Sequence, residues 1–205
     1  LSIPIFLITG PFLPDLAVSS IVIIFLIIVV REKNFQIFDN KFFYFFIFFY
    51  FYLILNSFLQ NQNFDSIKIS IFYFRFGFFC YALMYFLNKD PKLLKYLFYS
   101  LIICFTILSV DGMYQYYFKK NTIGFDLIYP GPRVSSFFGD ELIMGSYLSR
   151  LFPILFGLTI YFVNSKKLLY LLPFWILIAS LTFLSGERTA IFFFSLSLIM
   201  MSILF

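Results

Sequence analysis

This 205-residue sequence predicts an all-α fold, a polytopic bundle of transmembrane helices, and three observations predict it. Hydrophobic residues make up 62% of the chain and charged residues only 12%, with a mean hydropathy of +0.95, a composition that a water-soluble domain of this length could not carry. Apolar runs of about 17–25 residues recur, each long enough to cross a hydrocarbon layer about 30 Å thick as a helix. The alternating pattern of membrane-barrel strands is absent.

In chain order, Leu1–Thr9 reads as the end of a helix, followed by the breaker Gly10–Asp15 with its prolines at 11 and 14. Spans are then expected at Leu16–Val30, Phe42–Leu59, Ile67–Leu87, Tyr96–Val110, Glu141–Val163, Leu168–Leu184 and Thr189–Phe205. That makes about seven crossings plus a truncated one, in a single transmembrane domain over residues 1–205. The polar run Gln60–Asp65 closes the second span, and Asp111-Gly112 is read as the stop of the fourth. The longest segment that is not apolar, Asp111–Asp140, becomes an external loop of about 30 residues, a length that is usually functional. Leu1 in place of Met and an apolar run reaching Phe205 lead us to expect an internal fragment.

The formal charge of +5 is mostly topological. Arg31, Lys33, Lys41, Lys89, Lys92, Lys95, Lys166 and Lys167 fall in alternate short loops, so that side is expected to face the cytoplasm and the long loop the exterior. No ATP is available on that outer side, so an enzyme there needs a substrate carrying its own activation. Histidine is absent, which removes it as base or metal ligand. Cys80 and Cys104 lie in apolar runs without metal-binding or disulfide spacing and read as buried thiols. The 35 phenylalanines are given no functional weight.

Polar chemistry concentrates in Gly131–Leu148, where Arg133, Ser135, Ser136, Gly139, Asp140, Glu141 and Gly145 lead into an apolar run. Arg75 and Arg150 interrupt other runs, each roughly 12–14 Å inside the outer boundary at about 1.5 Å per residue. Two arginines at one depth point to a common aqueous cavity or a shared anion; the alternative is that one snorkels and the other pairs with a carbonyl or carboxylate. Asp140 and Glu141 read either as acids of a first helical turn, paired with Arg133 and Arg188, or as chemistry. Gly145 and Ser149, at i and i+4, let a helix or a substrate approach closely. Guanidinium forks suit phosphate oxygens, so Arg75, Arg133, Arg150 and Arg188, with Lys68, Lys119 and Lys120 behind them, form a candidate anion site.

Three segments carry a resemblance: Asp111–Tyr116, Gly131–Leu148 and Leu184–Thr189, the last reading Leu-Ser-Gly-Glu-Arg-Thr. In order and helix placement they resemble the O-antigen polymerase and O-antigen ligase superfamily, as does the early Gly10–Asp15 turn. The resemblance implies a C-type glycosyltransferase-like fold in the bacterial inner membrane. It implies transfer of a glycan, on the periplasmic face, from an undecaprenyl-diphosphate-linked oligosaccharide to an acceptor hydroxyl. Membrane lipids and a chain-length regulator protein are the other implied partners, with no cofactor, no metal and no nucleic acid. By the same pattern Arg133 and Arg188 fall on the arginine positions, with the diphosphate as their ligand, and Glu141 falls on the acidic position; the depth argument adds Arg75 and Arg150 below. The base is then Glu141, with Asp140 second, or else lies further along with Glu141 only orienting an arginine. Ligases of the group use a histidine in a later loop. Polymerase and ligase both stay open here, polymerase being favoured. A transporter or flippase of lipid-linked glycans is the competing class, although it predicts internal repeats that the sequence does not show.

Overall fold

The computed structural model describes residues 2–60, 64–128, 132–163 and 169–204. The expected polar run at Asn61–Asn63, the first residue of the Gly131 segment, Tyr129, and the Lys166-Lys167 turn lie outside the described residues. The described chain is all-helical, 81% helix with no strand, and four of its helices are long and apolar enough to cross a membrane: Phe12–Glu32, Lys41–Leu59, Ser66–Lys89 and Lys92–Phe118. The chain divides into two compact units, one of Leu1–Pro11 with Lys92–Phe205 and one of Phe12–Pro91.

The Phe12–Pro91 unit holds α2 (Phe12–Glu32), α3 (Lys41–Gln60), α4 (Phe64–Phe72) and α5 (Phe74–Lys89). Helix α2 begins inside the expected breaker because Pro14 falls in its first turn, where a missing N–H costs nothing. Phe25 and Val29 of α2 are buried with Tyr81 and Ala82 of α5, and Phe38 and Tyr85 pack their rings on Phe25. The third expected span, observed as Ser66–Lys89, is carried by α4 and α5 together, with one tightened turn at Tyr73 made by the bonds Tyr73 N to Ser70 O and Phe76 N to Tyr73 O.

The other unit holds α1 (Ile3–Phe6), α6 (Lys92–Phe118), α7 (Met144–Phe162), α8 (Leu172–Leu184) and α9 (Arg188–Leu204). Leu101, Phe105 and Leu108 of α6 and Met144, Leu148, Phe152 and Leu155 of α7 recur at helical spacing and bury against Ile178 and Leu181 of α8. Because lipid is as apolar as these side chains, van der Waals fit rather than water exclusion holds such helices together in a membrane. The hydroxyl of Tyr147 donates to Pro4 O at 2.9 Å and ties α1 to α7.

Two expected boundaries move. Asp111-Gly112 does not stop the fourth span, since α6 continues to Phe118 with Asp111 buried inside it. The loop is correspondingly shorter, and it closes on itself through isolated antiparallel bridges, Lys120 with Asp126 and Ile128 with Arg133. Helix α7 starts at Met144 rather than Glu141, so neither Asp140 nor Glu141 lies in its first turn.

Candidate functional site

A buried polar layer at the end of α6 fixes the loop. Asp111 Oδ1 accepts from the Thr122 backbone N–H at 3.0 Å and the Thr122 hydroxyl at 2.6 Å, while Oδ2 accepts from the Ser136 hydroxyl at 2.6 Å. One turn on, Gln115 Oε1 accepts from the backbone N–H groups of Ser135 and Ser136 at 3.0 and 2.7 Å. Asn121 gathers the N–H groups of Ile123, Gly124 and Phe125 on its Oδ1 and donates from Nδ2 to Ser136 O at 2.9 Å. These satisfied groups account for a helix that carries a carboxylate into the core: every acceptor oxygen of Asp111 has a donor. Local sequence makes Asp111 a helix stop and gives Gln115 no role; the signal for the buried layer is an i, i+4 polar pair ahead of a serine pair.

The loop and the α8–α9 turn then meet. Val134 N donates to Leu184 O at 3.1 Å, which lays the Arg133 segment along the end of α8. Gly186 has φ of +69°, and a Cβ built there would stand 3.0 Å from both Cγ and Nε of Arg133, so the arginine side chain crosses the glycine. The next residue, Glu187, turns away to α7. Both its carboxylate oxygens accept from Ser146 N at 3.2 Å, and Oε2 also accepts from the Ser146 hydroxyl. Ile143, the N-cap of α7, has no side-chain acceptor, so Glu187 supplies the cap from 41 residues away. Gly145 makes the approach possible, since a Cβ there would lie 2.9 Å from Glu187 Oε1 and 3.0 Å from the Ala190 Cβ, besides colliding with the Ser185 hydroxyl. The close approach at Gly145 is thus taken by α9 and its preceding turn, and Ser149 is buried.

Each candidate residue has a definite place. Arg133, Arg150, Arg188, Asp140 and Glu141 are exposed, and among the described residues no ion pair joins any of these arginines to a carboxylate. The pairing of Arg133 and Arg188 with Asp140 and Glu141, one of the two readings of these acids, is therefore not made among the described residues. Glu141 N donates to Phe138 O at 3.1 Å, and neither acid has a side-chain partner among the described residues. Arg188 is the first residue of α9, where the helix dipole disfavours a cation. Arg150 lies one turn beyond Ser146 and lines with it a cavity of about 390 Å³ whose other walls are Leu7, Phe138, Ile143, Tyr147 and Leu151.

Arg75 departs from the expected set. It belongs to the Phe12–Pro91 unit, and its Nη2 donates to Asp15 Oδ2 at 2.7 Å, with the Phe76 ring 5.0 Å from the guanidinium carbon. The anion beside Arg75 is a carboxylate of this chain, the pairing alternative raised by the sequence. Of the outer lysines, Lys120 pairs with Asp126 at 3.3 Å and Lys119 donates to Tyr116 O at 3.2 Å. Among the described residues no cluster of His, Cys, Asp and Glu could hold a metal ion.

No family model, curated protein or solved structure matches this chain.

Proposed function

We propose that the chain is the core of a membrane glycosyltransferase that extends or transfers a glycan from an undecaprenyl-diphosphate carrier at the periplasmic face of the bacterial inner membrane, in the manner of an O-antigen polymerase. The observation that carries the reading is convergence. The three segments bearing the resemblance are far apart in sequence, yet they are joined through Gln115 to Ser135 and Ser136, Val134 to Leu184, and Glu187 to Ser146. Around that junction Arg133, Arg150 and Arg188 have no carboxylate of their own among the described residues. A helix start carrying Arg188 is a favourable setting for phosphate oxygens.

In this reading the acceptor oxygen forms a bond to the anomeric carbon as the bond from that carbon to the diphosphate breaks. The electron pair leaves on the diphosphate, where guanidinium groups stabilise the developing charge. The acceptor proton goes to a carboxylate, Glu141 first and Asp140 second. A ligase would perform the same displacement with a different acceptor.

The test is reconstitution of the full-length protein with undecaprenyl-diphosphate oligosaccharide. New glycosidic bonds, lost in Arg133→Ala, are the expected result. Flipping of the lipid-linked glycan without bond formation would overturn the enzyme in favour of a transporter. Chain extension that survives Glu141→Gln would remove Glu141 as base while leaving the arginine assignment standing.

A further inference from the structure

We infer that Glu187 is a positioning residue for this reaction, holding the start of α7 so that Ser146 and Arg150 keep a fixed register against Arg133; the inference rests on the functional reading above. Glu187 is the one described side chain that serves the first turn of α7, whose own N-cap Ile143 offers nothing. It grips Ser146 twice, at the backbone N–H and at the hydroxyl. Ser146 and Arg150 are four residues apart on one helix face and line the same cavity, so displacement of the first turn displaces that wall. The residue preceding Glu187 is the glycine that Arg133 crosses. One short turn, Gly186-Glu187, therefore sets the ground under Arg133 with its glycine and the wall bearing Arg150 with its carboxylate.

The geometry argues against a role as proton acceptor. The carboxylate oxygens of Glu187 are engaged by Ser146, and Glu187 does not line the cavity that Ser146 and Arg150 share. Its contribution is made through Ser146.

The experiment uses the full-length protein in lipid nanodiscs with undecaprenyl-diphosphate oligosaccharide, together with hydrogen exchange at the Ser146 amide. Glu187→Ala is expected to lower kcat about 100-fold with KM changed by less than about threefold, and to speed exchange at Ser146. Glu187→Gln, whose amide oxygen still accepts from Ser146 N, is expected to recover kcat to within about fivefold of wild type and to keep the amide protected. If Glu187→Ala does not fold, Glu187→Asp replaces it: it keeps the charge but withdraws the reach, and the same loss is expected. Activity within about threefold of wild type for Ala, or for Asp in its place, overturns the inference. So does a Gln variant as impaired as Ala with Ser146 still protected, which would make the charge itself part of the chemistry. A wild-type protein that makes no glycosidic bond defeats the functional reading, and the positioning role with it; an active wild type with an equally active Ala variant defeats the positioning role alone.

Discussion

Arg75 in one unit and the candidate arginines of the other are treated in opposite ways. In Phe12–Pro91 the cations of α5 are neutralised locally: Arg75 meets Asp15 at 2.7 Å, and Lys89 meets Glu32 at 3.7 Å and the Tyr85 hydroxyl at 3.3 Å. In the unit built from Leu1–Pro11 and Lys92–Phe205, Asp111 and Glu187 give their oxygens to N–H and hydroxyl groups instead. Arg133, Arg150 and Arg188 are left there without a carboxylate among the described residues. A cation paired within its unit is architecture, whereas Arg133, Arg150 and Arg188 have no carboxylate partner among the described residues and are, in the proposed reading, the groups open to a ligand. That difference separates Arg75 from Arg150 more sharply than the depth expected for both from the sequence joins them.

The contrast can be broken at several points. The largest effect is expected at Arg133: Arg133→Ala should reduce transfer from undecaprenyl-diphosphate oligosaccharide by about 10²–10³-fold, measured as kcat/KM on the reconstituted protein. A reduction under about tenfold would put Arg133 with the architectural cations. Next is Asp111→Ala, which strands the buried Ser136 hydroxyl and removes three hydrogen bonds to a carboxylate, and should destabilise the protein by about 3–5 kcal/mol, read as a lower unfolding midpoint in detergent. Gly145→Val is smaller, at about 1–3 kcal/mol, because its side chain must displace Ser185, Glu187 and Ala190; an unchanged midpoint would mean that the start of α7 can shift freely. The smallest is the pair in the other unit. Its side chains are 25% and 52% exposed, so a double-mutant cycle on Arg75 and Asp15 should give a coupling of no more than about 1 kcal/mol.

Much of this was legible in the sequence because composition and run length respond to the membrane itself: a helix must be apolar for a set length, and Phe12–Glu32 and Lys41–Gln60 fall within a few residues of their expected positions. What escaped was whatever depends on a distant partner. Asp111 looks like a helix stop until Thr122 and Ser136 are known to satisfy it. Asp140 and Glu141 look like first-turn acids because that position favours a carboxylate, but the acid serving α7 is Glu187, reached through the backbone path of α8 and its turn. The Arg75–Asp15 pair spans 60 residues, and no local pattern announces it. Arg75 and Arg150 nevertheless stood out one by one, since a guanidinium in an apolar run is costly wherever it is placed.

The cap on α7 also has a consequence for assembly. Helices emerge from synthesis in order, so when α7 is complete its first turn still lacks the group that satisfies Ser146; that group lies 41 residues later, beyond the whole of α8. Until Glu187 arrives, the Ser146 N–H lacks the one described side chain that serves it. The junction of the loop with the α8–α9 turn is therefore the last part of this unit's polar face to form, and a chain interrupted before residue 187 would carry Arg133 and Arg150 without their fixed register.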